Sequence, residues 1–205
     1  VLTFAEAAGA RCETIGGLLK SLGVTLGDGP LPPWYRDLST ALPIDPTKAR
    51  HETALLRLRA ALDETGVRCE RLLAEVVTEP IYNGRVRQTH NKAAVLSEHV
   101  LRVMTRALKL ADDGDAYVNV DRLGGRQDYR KLLLSAFPDR HLHVVGTSEV
   151  ESRYRLATQR NDWHVRFLVD ADQHELCVAL ASMVAKYLRE LLMLRFNAYW
   201  CDLQP

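Results

Sequence analysis

Asp170 and Asp172 stand directly before a long apolar run, in the stretch VDADQHELCVALASMVAKYLRELLMLRFNAYW from Val169 to Trp200. A third aspartate, Asp121, ends the alternating segment AYVNVD at 116–121. Carboxylates in such places suit a hard divalent cation, which prefers oxygen ligands, and a helix N-terminus keeps a nearby carboxylate ionised. Asp172 is also followed three residues later by Glu175, the spacing of a capping box, so spacing alone leaves capping and cation binding equally open. Glu149, Glu151 and Asp170 lie near enough in sequence to join an acidic site, although such positions are more often solvated.

These side chains need a scaffold. The closing apolar run is predicted to be a buried helix with Leu180, Val184, Leu188, Leu191 and Leu192 packed. Ser182, Lys186, Arg189, Met193 and Phe196 fall in a stripe about 60° wide. AYVNVD reads as a strand with Tyr117, Asn119 and Asp121 on one face. Segments 141–145, 149–157 and 163–169 read as three further strands at hairpin spacing. Before them, 126–137 reads as a helix with Tyr129, Leu133 and Leu134 inward, and 91–110 as an amphipathic helix on Val95, Val100, Leu101, Met104 and Leu108.

The N-terminal part is helix-rich. Segments 1–10, 15–22 and 48–65 read as helices, the last two stopped by Gly23 and Gly66. Residues 27–48 carry Gly27, Gly29, Pro30, Pro32, Pro33, Pro43 and Pro46, which predicts a linker pinned by Trp34 and Tyr35, and 112–115 reads as a loop. Residues 67–77 are read as a strand closed by Pro80, followed by a turn at Asn83-Gly84. The domain boundaries expected are 1–47 for a helical segment with its proline-rich linker and 48–205 for a mixed α/β domain. The chain begins without Met inside an apparent helix, so a preceding segment is expected.

Hydrophobic residues make up 47% and charged residues 26% of the 205, an ordinary balance for a globular protein without a membrane-spanning segment. Cys12, Cys69, Cys177 and Cys201 form no C-x-x-C pair, which predicts reduced thiols and a cytoplasmic setting. Residues 85–166 carry 15 Lys/Arg against 10 Asp/Glu, a basic middle able to meet a polyanion. Within it Arg85, Arg87, Lys92, Arg126, Arg130 and Lys131 are candidates to track phosphate. No Walker loop, nucleophile elbow or dinucleotide fingerprint is present.

The segment ADQHELCVALASMVAKYLRE (171–190) resembles the final block of the ribonuclease HII family, in which an aspartate stands ten positions before the Ser of an A-A-S-I-x-A-K-V-x-R-D helix. Asp172 stands ten positions before Ser182, and Ala181, Ala185, Lys186, Arg189 and Glu190 follow in matching places. VNVDRLGGR (118–126) is similar to that family's strand ending in V-D-G, and a divergent bacterial branch of it carries V-D-R-x-G-G-R. The resemblance covers about residues 90–200.

It implies an α/β fold, a ribonuclease H-like mixed sheet flanked by helices, here with an additional helical N-terminal segment. It also implies hydrolysis of the RNA strand of RNA–DNA hybrids or ribonucleotide-containing DNA, by a monomer using Mg²⁺ or Mn²⁺. Asp121 and Asp172 match two of the family's four metal-holding catalytic carboxylates, while Lys186, Arg189, Arg122, Arg126 and Lys92 would contact nucleic acid. The family's first motif, D-E-A-G-R-G, has only a faint echo in Ala5–Arg11, and Arg122 replaces the Gly after the strand aspartate. This chain alone is therefore expected to be inactive. The alternative is a non-catalytic ribonuclease H-like module that binds nucleic acid or protein.

Overall fold

A computed structural model describes residues 1–10, 12–26, 31–44, 48–111 and 114–204. Arg11, the Gly27–Pro30 and 45–47 parts of the expected linker, and 112–113 of the expected loop lie outside the described residues. The chain divides into two compact units, one of residues 1–78 with 183–205 and the other of residues 79–182. The expected boundary before residue 48 falls inside the first of these.

The second unit holds a four-stranded mixed sheet flanked by helices. Its elements are α4 (Glu79–Thr89), α5 (Lys92–Leu108), β1 (Ala116–Asp121), α6 (Arg130–Ala136), β2 (His141–Thr147), β3 (Glu151–Ala157) and β4 (Asp162–Leu168). The strand order is β1-β4-β3-β2. β1 runs parallel to β4 with Asp121 opposite Leu168, while β2, β3 and β4 form an antiparallel meander. Alternation separates the two faces. Val165 and Phe167 of β4, with Tyr154 and Leu156 of β3, pack against Met104 and Leu108 of α5 and Leu133 of α6, joined by Tyr129 and Phe137. Tyr117, Asn119, His164, Arg166, Arg153 and Arg155 share the other face by register.

Local chemistry sets the helix ends. Asn91 caps α5, its side-chain oxygen accepting from the Ala94 amide at 3.1 Å. The expected helix at 126–137 is shorter because two buried tyrosines hold the chain before it. Tyr154 Oη accepts from the Tyr129 amide at 3.0 Å, and Tyr129 Oη donates to the Arg126 carbonyl at 3.0 Å. Leu134, expected inward, is 48% exposed because the short α6 covers the sheet with Leu133 alone of that pair.

The region 67–90 departs most from expectation. Residues 67–78 form no strand, and Glu79–Thr89 is a helix that contains both Pro80 and the Asn83-Gly84 pair. Pro80 sits in the first helical turn, where its missing N–H has no intrahelical partner to lose. Gly84 costs about 1 kcal/mol in a helix interior and does not by itself break one.

The first unit contains α1 (Leu2–Ala7), α2 (Ile15–Ser21), α3 (Lys48–Thr65) and the C-terminal part of α7, whose full span is Leu176–Leu203. Thr14 caps α2 through the Gly17 amide at 3.0 Å, and Gly23 and Gly66 close α2 and α3 at φ +64° and +66°. A one-turn 3₁₀ helix at Pro33–Tyr35 carries Trp34 into a cluster with Phe196, Tyr199 and Trp200, ring centroids 5.3–6.0 Å away. Arg195 pairs with Asp37 at 3.0 Å beside it. Val184, Leu188, Leu191 and Leu192 of α7 are buried, as the periodicity predicts.

Candidate functional site

The site forms where the parallel strands β1 and β4 end. Beyond β4, Asp170 takes a left-handed conformation (φ +49°, ψ +40°), which Asp and Asn tolerate better than other non-glycine residues. The chain thereby turns into a 3₁₀ turn at Ala171–Gln173. The Ala171 amide donates to Asp121 Oδ1 at 3.2 Å. This one bond joins motifs 50 residues apart in sequence. Asp121 is exposed with no hydrogen bond to its second carboxylate oxygen among the described residues, and Asp172, one residue beyond Ala171, is also exposed.

Asp172 does not cap α7. The helix begins four residues later, at Leu176, and Glu175 occupies the capping position, its carbonyl accepting from the Ala179 amide at 2.9 Å. The intervening 3₁₀ turn takes up the residues that a capping box would require.

Glu175 turns its side chain back onto the sheet, where it accepts from Asn119 Nδ2 at 2.8 Å and from Arg166 at 3.1 Å. Arg166 Nε also donates to Glu151 at 2.7 Å, with Arg153 3.5 Å from the same carboxylate. The bond to Glu151, followed by the charges of Glu151 and Glu175, raises the Arg166 pKa against the opposing effect of burial. Sequence reasoning missed this network as a unit. The signal it offered was parity, which puts Asn119 on the Asp121 face of β1.

The loop after Asp121 is held from below. Tyr129 Oη accepts from the Leu123 amide at 3.1 Å while donating to the Arg126 carbonyl, and Gly124 turns the chain at φ +60°. The Arg122 amide donates to the Leu168 carbonyl at 2.8 Å, and its guanidinium donates to the Glu149 carbonyl. Arg126 lies over the Tyr129 ring at 6.0 Å. Both arginines thus lie on the loop that follows Asp121, Arg122 with its guanidinium already donating to a backbone carbonyl and Arg126 over an aromatic ring.

The remaining candidates lie apart from this corner in sequence and element. Lys92 is exposed at the start of α5. Lys186 is exposed without an ion pair among the described residues, and Arg189 pairs with Glu190 at 3.0 Å. Arg85 is bound to Glu98 and Arg130 to Asp128, so neither is a free cation. His141 and His143 are exposed, and Glu151 is committed to arginine.

Two carboxylates meet the oxygen preference of Mg²⁺ or Mn²⁺, and Mg²⁺ commonly takes one or two protein carboxylates with water or phosphate oxygens completing its shell. Among the described residues no group of three His, Cys, Asp or Glu is placed to hold a metal ion. Asp121 and Asp172 are of the donor type such an ion takes, and two carboxylates are fewer than the four that the resembled family uses for two ions. All four cysteines are free, and no described helix is long and apolar enough to cross a membrane. No family model, curated protein or solved structure matches the chain.

Proposed function

We propose that the protein is a metal-dependent endonuclease of ribonuclease H-like type, acting on the RNA strand of RNA–DNA hybrids with Asp121 and Asp172 as ligands for Mg²⁺ or Mn²⁺. The observation that carries this reading is the Ala171 amide bond to Asp121, which sets the strand-end aspartate one residue from the Asp172 turn. The bond occupies one carboxylate oxygen and leaves the other for a cation. A divalent ion there would polarise a phosphodiester and lower the pKa of a bound water. Arg122 and Arg126 supply positive charge on the adjoining loop for the nucleic-acid backbone.

The test is Mn²⁺-dependent cleavage of an end-labelled RNA–DNA hybrid by the protein as its gene encodes it. Asp121→Asn and Asp172→Asn are each expected to lower the rate at least a hundredfold. Wild-type rates in both variants would overturn the assignment. With two carboxylates in place of the four in the resembled family, residues 1–205 alone are expected to be inactive.

A second reading, a non-catalytic nucleic-acid-binding module, is favoured by a different feature. Tyr117 is 77% exposed and stacks on His164, centroids 4.8 Å apart and planes within 12°, on the sheet face opposite the core. Exposed rings on a sheet are stacking platforms for unpaired bases. Binding of single-stranded RNA that is lost in Tyr117→Ala and unchanged in Asp121→Asn would favour this reading.

A further inference from the structure

At the other end of the sheet, where β2 and β4 begin and β3 ends, lies a cavity of about 620 Å³ between the end of α5 and the β3–β4 hairpin. β1 spans about 16 Å from its first residue to Asp121 at the usual rise per residue, so this cavity is separate from the aspartate corner. Among the described residues that line it, the cations are Lys109, Arg140 and Arg160 and the one carboxylate is Asp139. Counting Lys, Arg, Asp and Glu, these described lining residues carry a net charge of +2.

The state of Arg140 gives the cavity its meaning. Its guanidinium lies 3.1 Å from the centroid of the Trp163 ring, donates from one terminal nitrogen to the Leu156 carbonyl at 3.1 Å, and from the other to Asn161 Oδ1 at 3.0 Å. These partners are all neutral. Burial lowers the Arg140 pKa, and the charge of Asp162 offsets this only in part. Asp162 is itself paired with Arg155 at 3.1 Å. The indole N–H of Trp163 is buried without an acceptor among the described residues. Lys109 and Arg160 have no carboxylate partner among the described residues. The other arginines of this sheet, Arg153, Arg155 and Arg166, all have one. Cations thus outnumber carboxylates among the described lining residues, and Asn161 Oδ1 is already taken by Arg140.

The fork of Arg140 is also fixed in place. Two of its donors and its ring contact hold the guanidinium plane, so its remaining N–H groups point in set directions. A pre-oriented guanidinium backed by a lysine and a second arginine is an arrangement suited to the oxygens of a phosphate. A carboxylate ligand would use the fork and leave one of the other cations unanswered, whereas phosphate offers several charged oxygens. The volume lies within the range of small-ligand sites.

We propose that this cavity binds a phosphate group through Arg140, Lys109 and Arg160. The phosphate would come either from a free nucleotide or from the phosphorylated end of a nucleic-acid strand. The proposal does not rest on the metal-dependent reading of Asp121 and Asp172.

The experiment titrates the isotopically labelled chain with inorganic pyrophosphate, a nucleoside monophosphate, and a trinucleotide with and without its 5′-phosphate. Amide and indole N–H signals are followed at constant ionic strength. Saturable shifts of the Trp163 indole and of the 158–161 amides are expected with at least one phosphorylated probe. Lys109→Gln/Arg160→Gln, which alters two solvated side chains, should weaken that binding at least tenfold. Arg140→Lys should also weaken it while keeping the charge, because a lysine cannot reproduce the fork. Tighter binding of the mononucleotide identifies a free nucleotide as the source, and tighter binding of the 5′-phosphorylated trinucleotide identifies a strand end. The proposal is overturned if no phosphorylated probe gives a saturable shift at about 10 mM, well above millimolar dissociation constants. It is equally overturned if the double variant binds as tightly as the wild type.

Discussion

Tyr129→Phe removes one oxygen atom from beneath the loop that follows Asp121, and its cost can be worked from the contacts. Tyr129 is fully buried and its ring stacks on Phe167 with centroids 3.6 Å apart and planes within 2°. Phenylalanine preserves that stack and opens no cavity beyond the hydroxyl. Two hydrogen bonds are lost, the Leu123 amide to Tyr129 Oη and Tyr129 Oη to the Arg126 carbonyl. At about 0.5–1.5 kcal/mol each, with an amide left unpaired in a part-buried loop, the loss totals about 2 kcal/mol. For a chain of this size that lowers Tm by about 4–8 °C. The loss is local as well as global, so hydrogen exchange at Leu123 should accelerate about tenfold or more, since tenfold corresponds to about 1.4 kcal/mol. Thermal unfolding and residue-resolved exchange measure the two effects. A Tm within about 1 °C of wild type, together with unchanged exchange at Leu123, would refute the argument that Tyr129 anchors this loop.

Two further outcomes follow from ionisable groups. Hydrogen bonds from the Arg130 side chain and amide depress the Asp128 carboxyl to about 2. Its stabilising contribution is therefore fully present above the ordinary aspartate pKa and is lost as pH falls through about 2. In a carboxyl ¹³C titration Arg130→Ala should move the Asp128 midpoint upward, and an unmoved midpoint would contradict the assigned cause. Burial, with the Glu6 charge adding to it, pushes the Cys12 thiol up to about 11. At pH 8 about one thiol in a thousand is then ionised, so brief alkylation of the native protein should modify the exposed Cys177 and Cys201 and spare Cys12, as peptide mass mapping would show.

The elements legible in the sequence are those whose pattern is enforced by one-sided burial. β1 is bounded as AYVNVD predicts because Val118 and Val120 face a core while Tyr117 and Asn119 do not. α5 and its Asn91 cap follow from a local hydrogen bond that any chain with this spacing can make. The segment LLAEVVTE at 72–79 has strand composition but no strand to pair with, and strand propensity expresses itself only against a neighbour. Pro80 and Gly84 read as breakers because composition does not tell a first-turn proline from an interior one. At the candidate site, Asp121 is legible from strand parity. The bond that orients it comes from a backbone amide 50 residues away, and backbone donors have no residue type to read. The same limit hid the partners of Glu175, whose contacts with Asn119 and Arg166 depend on a 3₁₀ turn that displaced the expected cap from Asp172.

The meander carries one irregularity with a consequence for how copies of the protein behave toward each other. β2 is an edge strand, and Val144 and Val145, 49% and 54% exposed, lie next to each other on it. Adjacent exposed valines on a sheet edge favour uncontrolled strand-to-strand association. The register between β2 and β3 shifts between Val144 and Gly146, so Val145 is an extra residue in the ladder. The bulge breaks the even spacing of edge amides and carbonyls. An incoming strand would therefore find only the four residues His141–Val144 in continuous register, too short a template to propagate. Deleting Val145 would restore an unbroken edge and, with it, a route to aggregation.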